Sequence, residues 1–258
     1  MKYKYIDKKN EHLHTLDSEP LIGTSSVVGV IAKNLTWWAA ETSAVECLEA
    51  GEKIPTIREE YLLACMSQDK KIAIDELQRK YPIFKKARFA HFADRNKKAD
   101  KGIDRHKILE DYVKFKMSRE GGSFDTQEIQ QFTAWADANV KSFLWSEMNC
   151  YSEKYWLGGI SDAGFEDNEG KVGIIDFKSS KEAYISQFIQ IAGYDLQINE
   201  NGGFTAEGES VLPPTLNVDY YVVWPFGAEK QEPAINYNTK QLKEGFLSAL
   251  TLYKLTNQ

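Results

Sequence analysis

The sequence predicts a mixed α/β (α+β) fold, in which helices flank a central mixed sheet of about four to five strands. Apolar residues recur with a helical period over much of residues 21–147 and again over 181–199 and 238–256. Residues 147–180 carry β-rich runs broken by Gly and Asn turn signals, which predict a three-stranded meander, and residues 216–226 predict a further strand. This order of elements predicts one sheet packed against helices.

The chain length of 258 residues is compatible with one domain. We expect residues 1–100 to form a helical N-terminal part of that domain and residues 101–258 to form its core. Residues 1–20 are polar and charged, and we expect them to be a loose lead-in. A short helix is expected next, with Ser25 or Ser26 as its N-cap, because a hydroxyl there satisfies an unpaired backbone N–H.

The N-terminal residues lack the apolar stretch of a signal peptide, and no run of about 18 apolar residues predicts a membrane span. The chain has three cysteines, Cys47, Cys65 and Cys150, with no C-x-x-C pair. We therefore expect no disulfide framework and no zinc site. A [4Fe–4S] cluster normally takes four thiolates, so no iron–sulfur cluster is expected either. These features predict a reduced, cytoplasmic protein that does not enter a membrane.

The net charge of −6 argues against a protein that coats nucleic acid by electrostatics alone. The charge is unevenly distributed, however. Residues 70–101 contain 11 Lys/Arg and 4 Asp/Glu, a local balance of +7 that leaves −13 for the rest of the chain. Such a segment is either a phosphate-facing stripe or the solvated surface of a helix.

Two acids and a lysine occur where the meander strands would carry packing residues. Asp176 and Lys178 are two positions apart, so they project to the same face of a strand, while Phe177 points into the opposite face. A hairpin through residues 166–171 would bring Asp162 on the preceding strand beside Asp176. Carboxylate oxygens at this separation suit a hard cation such as Mg²⁺ or Mn²⁺.

Two unpaired carboxylates repel each other, and a bound dication would remove that repulsion. Lys178 beside such a cation could orient a water, and metal-activated water is how phosphodiesters are hydrolysed. A D-x-K pair is a weak signal by itself, since the same spacing occurs on ordinary edge strands. The strand context and the upstream Asp162 strengthen it.

Two helices carry further candidate residues. Gln187, Gln190 and Tyr194 lie at i, i+3 and i+7 and form one stripe, which could offer amides and a phenol to DNA phosphates or bases. The same stripe could also be an ordinary polar helix face. His106 and Glu110 lie at i and i+4 on an earlier helix, so His106 could add a nitrogen ligand. A surface or capping histidine is the alternative.

With these residues in place, the chain resembles the PD-(D/E)XK nuclease superfamily, in particular its RecB-like, phage-type exonuclease branch. The resemblance covers roughly residues 100–200 and rests on four short motifs in a fixed order: "GIDRHKILEDY", "GGISD", "IIDFKSS" and "QIAGY". It implies a restriction-endonuclease-like core of helix, three strands, helix and strand, with a helical N-terminal addition.

The resemblance also implies a metal centre. Asp162 and Asp176 match the two metal-binding acids, and His106 matches the histidine that joins the metal site in this branch. The carbonyl of Phe177 is implied as a further ligand, and Lys178 matches the catalytic lysine. The implied cofactor is Mg²⁺ or Mn²⁺.

Other residues match the branch less directly. Gln190 and Tyr194 match a Q-x-x-x-Y signature that helps to bind DNA, and Glu147 lies where some members carry a further acid. Ser161 replaces the proline of the superfamily name, which is common in the branch. The basic segment 70–101 is then expected to form one wall of a DNA channel.

The function expected from this resemblance is metal-dependent DNA exonuclease activity in phage or bacterial recombination, repair or replication. The expected partner is single-stranded DNA or duplex ends, with a phage recombination or single-strand-binding protein as a second partner, and an oligomer is compatible with the sequence. Two alternatives stay open: a nuclease fold that binds DNA or a protein without cleaving, and a structure-specific endonuclease. The expected compartment is the cytoplasm of a bacterium or of a phage-infected bacterial host.

Overall fold

The computed structural model describes residues 2–8, 11–31, 105–118 and 127–257, together with scattered positions between 59 and 82. The chain divides into two compact units, one formed by Met1–Ala32 with Gly102–Gln258 and the other by Lys33–Lys101. In the second unit most of the described positions are helical, and Lys80 forms a 2.7 Å ion pair with Glu60. Most of the basic segment 70–101 lies outside the described residues.

The N-terminus of the first unit forms a small antiparallel sheet of three strands: β1 (Tyr3–Lys8), β2 (Glu11–Leu16) and β3 (Glu19–Pro20). The expectation of a loose lead-in is therefore wrong. Tyr3 and Leu16 face each other across the hairpin and are buried with Tyr151, so the polar sequence still has one apolar side.

The large sheet has eight strands: β4 (Ile22–Gly23), β5 (Val140–Ser152), β6 (Leu157–Asp167), β7 (Val172–Lys178), β8 (Gly203–Phe204), β9 (Ser210–Leu212), β10 (Tyr220–Pro225) and β11 (Ala234–Asn236). Their order is β11-β10-β7-β6-β5-β8-β9, and β4 pairs with β6. Strands β5, β6 and β7 form the predicted antiparallel meander, and β10 lies parallel to β7. The mixed fold class is confirmed. The sheet exceeds four to five strands because four of its strands have only two or three residues, too few for a periodic signal.

The helices of the first unit are α1 (Thr24–Val28), α2 (described over 105–118), α3 (Gln130–Asn139), α4 (Ile185–Asn201) and α5 (Thr239–Thr256). Short 3₁₀ turns span Gly29–Ile31 and Gln127–Ile129. The N-cap of α1 is Gly23, without a side-chain cap bond, so the prediction of Ser25 or Ser26 as the cap is wrong. Among the described helices, none is long and apolar enough to span a bilayer.

The two faces of the large sheet are covered by different helices. On one face, Leu109 of α2 and Phe132 of α3 pack against Ile175 and Trp224. On the other face, the apolar residues of α4 and α5 pack against a second cluster that includes Ile174. Adjacent residues of β7 thus face opposite cores, as a strand requires.

The boundary between α3 and β5 differs from the sequence-based expectation. Residues 126–147 were predicted to be helical, but the helix ends at Asn139 and the strand begins at Val140. Residues 140–152 pair with β6 along almost their whole length. Burial of Trp145 and Met148 in that pairing favours the strand over the local helical period.

Candidate metal-binding site

Three acids lie in one row across neighbouring strands. The β6–β7 ladder ends at Ala163 opposite Ile175, which places Asp162 opposite Asp176. On the other side, Ser146 pairs with Ala163 and Met148 pairs with Ser161, so Glu147 lies opposite Asp162. We call Glu147, Asp162 and Asp176 the acid row. Opposite residues of antiparallel strands share a face, so the register brings these three together.

The backbone is adapted to this row. The N–H of Phe177 donates to Asp162 Oδ2 at 2.7 Å, so a carboxylate takes a hydrogen bond from the strand backbone where the ladder ends. Glu147 has a φ of 48°, in the left-handed region that non-glycine residues seldom adopt. Departures of this kind, where the surrounding sheet holds them, mark sites worth testing for function.

His106 reaches the row from α2. Its Nε2 lies 3.2 Å from Asp162 Oδ2, and its ring packs edge-on against Phe177 with centroids 5.8 Å apart. Burial acts to lower the pKa of His106, but the hydrogen bond and charge of Asp162, with the charges of Glu147 and Asp176, raise this pKa to about 9. This raised pKa favours the protonated imidazole at neutral pH, so His106 would have to lose a proton to become a metal ligand.

Lys178 pairs with the most deeply buried acid of the row. Its Nζ lies 2.7 Å from Asp176 Oδ2, and the Asp176 side chain is only 2% exposed. Burial raises the pKa of Asp176 to about 7; Lys178 opposes this rise and Asp162 adds to it. Burial acts to lower the pKa of Lys178, but the nearby carboxylates, Asp176 foremost, raise it overall. Across the described part of the chain, Asp176 Oδ1 accepts no hydrogen bond.

Asp162 and Asp176 each have a cationic partner, whereas Glu147 has a buried carboxylate oxygen, Oε1, without a hydrogen bond from the described residues. Burial raises the pKa of Glu147 to about 8, and the charge of Asp162 adds to the rise. Glu147 also belongs, with His106 and Glu110, to a group of three whose ligand atoms all lie within 4.8 Å of one another.

Glu110 is placed differently from the acid row. It lies one helical turn after His106 and contacts two lysines of its own helix, Lys107 at 3.2 Å and Lys114. Of the described residues, only His106, Glu110 and Glu147 form such a tight group of three. His106 touches both this group and Asp162, so the candidate ligands form a continuous string and not two separate clusters.

The residues present fit a divalent cation. His106 has Glu110 and Glu147 within 4.8 Å. It also contacts Asp162, whose charge acts on Asp176, and oxygen ligands with an added nitrogen suit Mg²⁺ or Mn²⁺. Three buried carboxylate oxygens of the acid row accept no hydrogen bond from the described residues, namely Glu147 Oε1 and both oxygens of Asp176, although Asp176 Oδ2 lies 2.7 Å from Lys178 Nζ. Burying such atoms is unfavourable unless a proton or a cation neutralises them.

The polar stripe of α4 divides into two parts. Gln187 closes a capping box at the start of the helix: its Oε1 accepts the N–H of Tyr184 at 2.8 Å and its Nε2 donates to Ser180 at 3.2 Å. Gln190 Nε2 donates to the hydroxyl of Tyr194 at 2.6 Å. Burial raises the pKa of Tyr194, and the charges of Asp176 and Asp162 contribute, so the phenol lies close to the acid row. Contact of these three side chains with DNA stays a prediction.

Two cavities open beside the row, and Glu147 lines both. The first, of about 600 Å³, also contains Glu110; the second, of about 740 Å³, also contains Gly159 and Tyr194. A Cβ at position 159 would lie 2.7 Å from the Tyr194 ring, so glycine is needed there for close packing. Tyr5 of β1 lines both cavities, so the N-terminal hairpin, which carries no sequence motif of the site, contributes to its surroundings.

No protein-family model matches this chain, and no curated protein is significantly similar to it.

Proposed function

We propose that this protein is a metal-dependent deoxyribonuclease, an exonuclease of the PD-(D/E)XK superfamily, that hydrolyses phosphodiester bonds with Mg²⁺ or Mn²⁺. The observation that carries the proposal is the acid row together with Lys178 and His106. Acids on three adjacent strands, an ammonium beside the innermost one and an imidazole bonded to the middle one form a set suited to a cation and a phosphate.

The topology supports the same proposal. The order of α2, the meander β5–β6–β7, α4 and the parallel strand β10 agrees with the core implied by the sequence motifs. The helix α3 is inserted between α2 and the meander. Each motif lies on the expected kind of element: His106 on a helix, Asp162 and Asp176 on paired strands, and Tyr194 on the following helix.

The proposed reaction assigns separate roles to the metal-binding residues and to Lys178. Asp162, Asp176 and His106 would hold the cation, with Glu147, Glu110 and the Phe177 carbonyl as further ligands. When bound, the cation would supply Lewis acidity toward a phosphate oxygen and acidify water. Lys178, fixed by its 2.7 Å contact with Asp176, would donate to the attacking water or to a phosphate oxygen as negative charge develops.

The test is digestion of end-labelled linear DNA with Mg²⁺ or Mn²⁺. Asp176→Asn and Lys178→Ala should each abolish product. Glu169→Gln and Lys171→Ala are matched controls. These two exposed residues lie in the hairpin turn between the same strands and form an ion pair with each other at 2.7 Å. Undiminished digestion by Asp176→Asn and Lys178→Ala would refute the proposal.

A non-cleaving DNA-binding module is the second candidate, and one observation favours it. Asp162 and Asp176 already have cationic partners, His106 and Lys178, so part of the acid row is neutralised without a metal. A gel shift without product in Mn²⁺ would favour this binder. Digestion of covalently closed circular DNA would instead favour an endonuclease, since an exonuclease cannot start on it.

A further inference from the structure

The N-terminal hairpin carries two tyrosine–histidine pairs built in the same way. The hydroxyl of Tyr3 lies 2.7 Å from Nδ1 of His14, and the hydroxyl of Tyr5 lies 2.7 Å from Nδ1 of His12. The pairs come from Y-x-Y on β1 and H-x-H on β2, so the four rings share one face of the hairpin. The spacing repeats, but the surroundings of the two pairs differ.

The inner pair has a structural role. Tyr3 and His14 are buried, and the Tyr3 ring stacks on Tyr151 with centroids 4.9 Å apart. The Tyr3 hydroxyl also donates to Asn149 at 3.2 Å. These contacts attach the hairpin to β5 of the large sheet.

The outer pair is attached less firmly. The N–H of Tyr5 donates to the carbonyl of Ala206 at 3.1 Å, but among the described residues the Tyr5 hydroxyl and the His12 ring bond only to each other and to Asp7. The rings of Tyr5 and His12 are 5° from parallel with centroids 6.3 Å apart, and the hydroxyl-to-Nδ1 contact joins their edges. They therefore lie side by side in one plane. His14 packs against Tyr5 with centroids 4.9 Å apart, and 71% of the His12 side chain is exposed. The result is a flat, half-exposed aromatic surface, the Tyr5–His12 platform.

The platform lies near Glu147, at one end of the acid row. Tyr5 and His12 line the cavity of about 740 Å³ that also contains Glu147 and Tyr194. Tyr5 lines the cavity of about 600 Å³ as well, again with Glu147. The charge of Glu147 contributes, after burial and Asp7, to a raised pKa of Tyr5, which agrees with this proximity.

We propose that the Tyr5–His12 platform stacks an unpaired nucleobase beside the phosphodiester bond that the acid row cleaves. This inference rests on the proposed function and specifies its substrate as single-stranded DNA or a frayed end, because a base inside a duplex has both faces stacked on its neighbours. Asp7 lies 3.4 Å from His12, and its carboxylate disfavours a phosphate there. A planar surface beside a carboxylate suits a base and not the backbone.

The test measures stacking separately from cleavage. A single-stranded oligonucleotide with 2-aminopurine at its terminal positions is titrated with Asp176→Asn protein in Ca²⁺, after a check that no product forms. We expect the 2-aminopurine fluorescence to be quenched on binding. Adding Tyr5→Leu or His12→Ala should weaken binding by about tenfold and reduce the quench, since one stacked base is worth roughly that much. Tyr237→Ala, a change at an exposed tyrosine that lines neither cavity, should leave both values unchanged.

The outcomes separate this inference from the proposed function. Unchanged quenching and affinity in both platform variants, or no quenching in the parent protein, would overturn the platform even if the wild-type protein digests DNA. Loss of quenching in the His12→Ala variant, whose side chain is mostly exposed, supports the platform even if the Tyr5 variant is poorly folded. Cleavage assays on wild type and Asp176→Asn test the nuclease proposal independently.

Discussion

Two buried aspartates each form a 2.7 Å pair with a lysine, and only one of them belongs to the candidate site. Asp195 on α4 pairs with Lys243 on α5 and accepts a further hydrogen bond from the Tyr221 hydroxyl at 2.5 Å. Asp176 pairs with Lys178 on its own strand and faces Asp162. Burial raises the pKa of both carboxyls. The two carboxylates differ in their neighbours. Asp195 has two donors from separate elements, whereas Asp176 lies in a row with other acids.

This difference separates a structural ion pair from a candidate metal site. Lys243 and Tyr221 attach α5 and β10 to α4, so they compensate Asp195 while they fix the fold. The acid row concentrates carboxylates where the β6–β7 ladder ends. A buried oxygen without a hydrogen bond does not by itself distinguish the two sites, because Asp195 Oδ1 also accepts none from the described residues. A buried Asp–Lys pair alone therefore does not indicate a catalytic site. Several carboxylates grouped around such a pair do indicate one.

The largest expected effect is on activity. Asp176→Asn and Lys178→Ala should each lower Mg²⁺-dependent DNA digestion on the order of 10³-fold or more, because they remove a ligand or the charge-stabilising donor. Asp195→Asn should retain activity per folded molecule. Rates are measured on end-labelled linear DNA with the folded fraction determined by circular dichroism. Equal losses of activity in the Asp176→Asn and Asp195→Asn variants would contradict the distinction between a catalytic and a structural aspartate.

The next largest effect is expected on stability without metal. Lys243→Ala should lower the free energy of unfolding by about 3 kcal/mol, since it leaves the buried charge of Asp195 unpaired. Asp176→Asn in EDTA at pH 8 should change it by no more than about 1 kcal/mol, because the lost contact with Lys178 is opposed by relief of the repulsion from Asp162. Urea unfolding measures both values. A marked loss of stability in Asp176→Asn would place Asp176 among the structural pairs.

The pH dependence of stability should also report on the acid row. Without metal, the raised pKa values of Asp176 (about 7), Glu147 (about 8) and His106 (about 9) mean that the folded state holds protons more tightly than the unfolded state. Their contribution to stability is present at low pH and is lost as the pH rises from about 4 to 9. Mn²⁺ competes with those protons, so the Mn²⁺-induced increase in Tm should grow between pH 6 and 9. Differential scanning fluorimetry measures it; a flat profile would contradict the ligand assignment.

The smallest expected effect is at Gln187. Its side chain closes the capping box of α4, so Gln187→Ala should lower the free energy of unfolding by about 1 kcal/mol and leave the KM for DNA unchanged. Gln190→Ala is the comparison, since Gln190 bonds to Tyr194 beside the acid row. A raised KM in Gln187→Ala would instead support the predicted contact of Gln187 with DNA.

The candidate site could be predicted from sequence where it depends on local spacing. The two-residue separation of Asp176 and Lys178 fixes a shared face, and a hairpin of defined length brings Asp162 alongside. Glu147 could be placed only loosely, because its position opposite Asp162 depends on the register of β5, part of which had been predicted as helix. Tyr5 and His12 could not be predicted from sequence, since their proposed role depends on a contact between the N-terminal hairpin and a strand 146 positions away.

Binding of a divalent cation by the acid row is tested by a crystal soaked in Mn²⁺. We expect an anomalous difference peak coordinated by oxygens of both Asp162 and Asp176, with His106 turned toward it. No peak between these carboxylates at millimolar Mn²⁺, with Lys178 and His106 still paired to them, would contradict it.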